Sequence, residues 1–206
     1  MVLNTIEYWA GKDGDAYHQR QTVTDQANVR YFATALGGYD PASAIELGCG
    51  DGRNMKALLQ LHPMMRFVGV DVNLGALKQA AEYGCTVGMS IANPKIHAAV
   101  MPADLVYTKG VLIHIPPDEL PAVYDNLYHL SNDLILIGEY YAPQRTEILY
   151  RGQTGKLWKA DFAGELMDRY PDLALIDYGF HYHRDRYPQD DITWFLLRKM
   201  SKSERG

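Results

Sequence analysis

Residues 44–52 read Ala44-Ile45-Glu46-Leu47-Gly48-Cys49-Gly50-Asp51-Gly52, and Arg53-Asn54-Met55-Lys56-Ala57-Leu58-Leu59 follows at once. The run from Ala44 to Leu47 is β-capable with little polar filler, as expected of a strand buried on both faces. Glycines at alternate positions then break it, letting the backbone turn sharply and approach a ligand closely. After the break Met55, Leu58 and Leu59 recur at helical spacing. Strand, glycine turn and helix make a nucleotide-type cradle with the helix N-terminus facing the ligand. A dinucleotide fold would carry G-x-G-x-x-G, whereas this turn reads G-x-G-x-G, with Glu46 two residues before its first glycine.

Working outward, strands and helices alternate. Residues 67–70 form an apolar strand ending at Asp71, and Leu74, Leu77 and Ala81 mark a helix that Asn73 can cap. Residues 85–89, 104–107 and 134–138 read as the third, fourth and fifth strands. Leu120, Val123, Tyr124 and Leu127 give one amphipathic helix, and Phe162, Leu166 and Tyr170 another. Upstream, Val29, Phe32 and Leu36 predict a helix over 28–36, ended by Gly37-Gly38. Two β-rich runs, 174–182 and 192–197, have no helix between them and read as an antiparallel hairpin closing the sheet. The pattern predicts an α/β fold: a mostly parallel seven-stranded sheet with helices on both faces and a C-terminal antiparallel hairpin. One domain over 1–200 is expected, with 1–38 as an N-terminal cap and 201–206 as a tail.

The 206 residues are 47% hydrophobic and carry a formal charge of −5. That size supports one ordinary domain, and the acidic balance argues against nucleic acid as the main partner. No apolar run approaches the ~20 residues that cross a bilayer. Cys49 and Cys85 show neither metal pairing nor a disulfide framework, and a basic-then-apolar leader is missing. A soluble cytoplasmic domain with a small-molecule partner is expected.

Asp71, 19 positions after Gly52, ends the second strand, where an acid takes the ribose hydroxyls of an adenosine ligand. Beyond the fourth strand comes Thr108-Lys109-Gly110-Val111-Leu112-Ile113-His114-Ile115, a loop on the ligand side of the sheet. His114 reads either as a packed histidine between two isoleucines or as a group acting on substrate. Glu139-Tyr140-Tyr141 ends the fifth strand on that same side. The connection 142–160 is long and carries Arg145, Tyr150, Arg151, Lys156 and Lys159, a set suited to a polar or anionic substrate. His181-x-His183 would share a strand face, but no further ligand spacing completes a site, so no metal is expected. Cys49, with no base near it in sequence, reads as a small packing residue.

The turn with Glu46 resembles motif I of class I methyltransferases dependent on S-adenosylmethionine (SAM). The longer runs resemble one branch of that class, the pseudaminic acid biosynthesis-associated methylases. They are Trp9-Ala10-Gly11-Lys12-Asp13-Gly14-Asp15-Ala16-Tyr17-His18-Gln19-Arg20, Lys109 through Ile115, Asp161-Phe162-Ala163-Gly164-Glu165, and Asp190-Asp191-Ile192-Thr193-Trp194-Phe195-Leu196-Leu197. The resemblance implies a Rossmann-like class I methyltransferase with SAM as cofactor and S-adenosylhomocysteine (SAH) as product. The acceptor would be an oxygen or nitrogen of a small polar molecule, such as a sugar or nucleotide-sugar of surface-glycan biosynthesis. The alternatives are a SAM-binding module without turnover and a methyltransferase of another natural-product or small-metabolite acceptor. Glu46, Gly48 and Gly50 would meet the methionine end, with Asn54, Val72 and Gly110 beside the cofactor. Asp71 would meet the ribose, Ser90 the adenine, and Thr108 and Lys109 would give backbone contacts. Trp9, Tyr17 and Arg20 would close over the cofactor, and His114 is the candidate base.

Overall fold

The computed structural model describes residues 4–201 together with Ser203 and Glu204. The chain enters through three helices, α1 (Thr5–Ala10), α2 (Lys12–Gln19) and α3 (Asp25–Leu36). Asn4 and Glu7 close α1 as a reciprocal capping box, and the Thr24 side chain accepts from the Ala27 amide at 3.2 Å to start α3. Glycine-rich residues 4–20 are thus helical, which their short, unperiodic pattern does not announce. Then follow β1 (Ser43–Leu47), α4 (Arg53–Leu61), β2 (Arg66–Asp71), α5 (Leu74–Ala80) and β3 (Cys85–Gly88). The middle supplies α6 (Ile96–Ala99), β4 (Ala103–Lys109), a 3-10 turn at Leu112–His114, α7 (Leu120–Leu130) and β5 (Ser131–Glu139).

The 142–160 connection is not a plain loop. It folds on itself as β6 (Thr146–Glu147) paired antiparallel with β7 (Trp158–Lys159), leaving Trp158 buried. The chain ends with α8 (Phe162–Arg169), β8 (Leu173–His181) and β9 (Ile192–Lys199).

Seven strands form one sheet in the order β3-β2-β1-β4-β5-β9-β8. Neighbours from β3 to β5 pair in parallel, while β9 runs antiparallel to both β5 and β8. This is the expected Rossmann-like sheet with its closing antiparallel hairpin, β9 being inserted between β5 and the edge strand β8. Alternation sorts the strand side chains to two covered faces. Ile45, Leu47, Val106, Ile135 and Ile137 pack with α7 and α8, whereas Ala44, Leu105, Tyr107 and Leu136 pack with α3 and α4. Among the described residues, no helix is long and apolar enough to cross a membrane.

Candidate functional site

Strand order reverses between β1 and β4, so their carboxyl ends diverge and leave a crevice, the place where open α/β sheets bind ligands. A cleft of about 920 Å³, counted with the solvent at its mouth, opens there. Its floor is the glycine turn. Gly48 and Gly50 have φ of 83° and 53°, left-handed values that favour glycine. A Cβ at Gly48 would fall 2.6 Å from Val111, and one at Gly50 2.5 Å from His18. Asp71 is tied to this floor: its carboxylate accepts from the Gly50 and Asn73 amides, each at 2.8 Å. Val72, Ser90, Asn54, Lys109 and Gly110 also line the cleft.

Glu46 does not reach the ligand space. Alternation turns it onto the α4 face, where it is fully buried beneath the turn. There it accepts from the Asn54 amide at 2.6 Å and from the hydroxyl of Tyr107, its cross-strand partner, at 3.0 Å. Burial pushes its carboxyl up to about 8 against the pull of those two bonds. The expectation of Glu46 at the methionine end is therefore corrected to a support beneath Asn54, which itself faces the cleft. Thr108 is likewise fully buried and absent from the lining.

The head supplies the roof, held down by Asn73, whose amide donates to the Trp9 carbonyl at 3.2 Å and to Asp15 at 3.0 Å. Trp9 and Tyr17 line the cleft with their rings edge to face, centroids 5.4 Å apart. Burial pushes the Tyr17 phenol up to about 12. Arg20 is not part of the roof: it is exposed at the C-cap of α2 and outside the lining. The cleft's cationic and imidazole groups on this side are instead Arg53, doubly bonded to Asp51, and His18, 3.8 Å from Asp51. Both belong to the quoted motifs, but periodicity gives no sign of which way they face.

His114 lies where the head, the β4–α7 loop and the β6–β7 hairpin meet. Its ring is 4.5 Å from Trp9 and 5.1 Å from Tyr150, centroid to centroid. Its Nδ1 is 2.7 Å from the Lys156 carbonyl, which can only accept, so Nδ1 carries the proton and Nε2 the lone pair. Burial drives its pKa down to about 4, with the Lys156 bond pulling the other way. Lys109 donates to the buried Asn28 at 3.0 Å, and burial lowers its ammonium to about 8.

Glu139 is nearly inaccessible, and its carboxylate accepts from the amides of Val111, Leu112 and Ile113 at 3.1, 3.1 and 3.3 Å. Its buried face was legible from the Ile135–Ile137–Glu139 alternation, but its partners were not. The paired histidines separate: His181 ends β8 against Tyr31, while His183 lies beyond the strand, 2.9 Å from Asp191. Among the described residues no group of three or more His, Cys, Asp or Glu could hold a metal ion. Cys49 is buried, and its Sγ lies only 2.7 Å from where a Cβ on Gly69 would sit, a small residue in a tight place.

Residues 45–133 match the methyltransferase domain family. The trans-aconitate 2-methyltransferase of Azoarcus sp. (strain BH72) is 31% identical over 91 residues, 44% of this chain and 36% of that protein. The matched stretch thus spans about a third of that relative. Among solved structures, a SAM-dependent methyltransferase from Anabaena variabilis superposes with a TM-score of 0.69 at 18% identity, covering 96% of each chain. The Burkholderia thailandensis 1,6-didemethyltoxoflavin-N1-methyltransferase, with bound 1,6-didemethyltoxoflavin and SAH, gives 0.67 at 16% identity over 92% of this chain and 83% of that one. At such identities the two structures share the fold with this chain.

Proposed function

We propose that this chain is a SAM-dependent methyltransferase acting on a small polar acceptor. One observation carries the reading: the Asp71 carboxylate is bonded to a left-handed glycine turn at the crevice between β1 and β4. The match to the methyltransferase domain family and the fold shared with an enzyme crystallised with SAH support it. The residues fit the cofactor. Gly48 and Gly50 let the turn pack against Val111 and His18, where a Cβ would collide, and the partly exposed Asp71 carboxylate offers acceptors to a ribose diol. Trp9 and Tyr17 would cover the ligand, with Val72 and Ser90 lining the end assigned to adenine. When bound, SAM supplies a methyl group already activated by its sulfonium.

The protein's part is then to align the acceptor, exclude water and manage a proton. The uncharged His114 presents Nε2, so it can orient a hydroxyl. Its low basicity makes it a weak proton acceptor, and any activity limb it governs falls near pH 4. The resemblance to the pseudaminic acid-associated methylases supports a sugar or nucleotide-sugar acceptor. The trans-aconitate relative and the weak basicity of His114 together support a second reading, a carboxylate acceptor, which needs no base because its attacking oxygen already bears the charge.

Calorimetry with SAH tests the cofactor site. Methyl-labelled SAM with nucleotide-sugars in one series and trans-aconitate in another tests the chemistry. Binding of SAH with label transferred to either acceptor class is the expected result. SAH binding with no transfer in either series favours a non-catalytic module, and no SAH binding rejects the proposal.

A further inference from the structure

The amides of residues 110–115 can be accounted for one by one. Gly110 donates to the Gly138 carbonyl at 2.8 Å, the next three donate to the Glu139 carboxylate, and His114 and Ile115 close the 3-10 turn onto Val111 and Leu112. Two consecutive residues at the end of β5 therefore hold four consecutive amides of the loop after β4. This loop is part of the cleft: Gly110, Val111, His114 and Ile115 line it, and the Val111 side chain touches the floor at Gly48.

We infer that Glu139 is a positioning residue, an ionised carboxylate that sets the β4–α7 loop and thereby holds Val111 against the glycine turn and His114 at the cleft. This rests on the reading of the cleft as a SAM site. The same geometry leaves Glu139 unsuited to serve as a base. Its oxygens already accept three backbone bonds, and it is buried behind the loop it holds.

The groups facing it are Thr108 and Lys109 from β4, Tyr31 from α3, and Tyr140, the residue after β5. Burial lifts its carboxyl to about 7 against the pull of the loop amides. As pH falls through that value the carboxyl takes up a proton. One oxygen turns from acceptor to donor, and the loop loses part of its hold.

The test measures SAH affinity from pH 6 to pH 8.5 in wild type and E139Q. Gln keeps the shape but aims an NH2 group at backbone donors. The expected result is roughly 10–100-fold weaker binding by E139Q at pH 8, and a loss of up to about tenfold per pH unit below 7 in wild type that the variant lacks. His18, Glu46, Lys109 and His114 titrate in both proteins, so the difference between the two profiles belongs to Glu139. Equal affinity and equal profiles would overturn the inference. Amide exchange at Val111, Leu112 and Ile113 gives a second readout that needs no ligand. Protection at pH 8 should be at least several-fold lower in E139Q than in wild type, and equal protection would overturn the inference. Absence of SAH binding in wild type at every pH would reject the cofactor reading instead, with amide exchange still deciding the role of Glu139.

Discussion

Glu46 and Asp71, at the ends of neighbouring strands, do different work because one faces a covered surface of the sheet and the other faces the cleft. Glu46 is fully buried with its carboxyl pushed up to about 8, so between the unfolded value of about 4.3 and that value the folded state holds the extra proton. Stability therefore falls as pH rises through that window, by at most about 1.4 kcal/mol per pH unit. Gln cannot ionise, yet it can accept from Asn54 and donate to the Tyr107 hydroxyl. Denaturant unfolding of E46Q at pH 5 and pH 8 should show a smaller loss than wild type, and parallel losses would remove the buried acid from the explanation. Asp71 is the opposite case, an acceptor of two backbone amides at the cleft edge. In D71N one oxygen becomes a donor facing groups that themselves donate. Hydrogen bonds to a charged group contribute about 1.5–3 kcal/mol, so SAH affinity should fall roughly 10–100-fold while the fold persists. Calorimetry reads this directly, and unchanged affinity would take the ribose away from Asp71. The place of Asp71 was legible in the sequence because a strand end after a glycine turn has only one exit. The place of Glu46 was not, since the motif names an acid without saying which face of β1 bears it.

Between elements, the contact that matters most for the cleft is that of the two head helices with α5, and Asn73 makes it. Its Oδ1 caps α5 by accepting from the Ala76 amide at 2.9 Å, while its Nδ2 holds Trp9 and Asp15. N73D separates the two functions. Asp caps a helix as well as Asn does, but it has no donor for the Trp9 carbonyl and sets a second carboxylate against Asp15. N73D should therefore keep α5, speed amide exchange across residues 5–19, and weaken SAH binding about tenfold. N73A, which also loses the cap, should cost about 1 kcal/mol of global stability in addition. If exchange in the head is the same in N73D as in wild type, the tether is not what seats it. These helices escaped the sequence because α1 has only six residues and α2 contains Gly14, so neither shows a full apolar period. The alternating strands and helices of the main sheet, with longer periodic runs, were legible to within a few residues. The β6–β7 hairpin was hidden because two-residue strands leave no alternation to read.

Across the molecule, the cleft draws on α1, α2, the turn after β1, the end of β2, the segment after β3 and the loop after β4. Every parallel strand from β1 to β4 is thus involved, and the loop after β4 is fastened by β5. Such a site cannot survive the loss of the sheet, so a ligand that fits it binds the folded state alone and must shift the global transition. At 100 times its dissociation constant SAH would add about 2.7 kcal/mol. For a chain of 206 residues each kcal/mol moves the midpoint by about 2–4 °C, which predicts a rise of about 5–11 °C. The shift should grow with the logarithm of SAH concentration and appear in one transition by circular dichroism and by tryptophan fluorescence, since Trp9 is in the roof, Trp158 in the β6–β7 hairpin and Trp194 in the sheet. NAD should give no such rise, because the turn lacks the third glycine spacing that packs helix on strand in dinucleotide folds. A rise confined to fluorescence, with the circular dichroism midpoint fixed, would mean that SAH orders only the head, and the cleft would then not be coupled to the sheet as its lining implies.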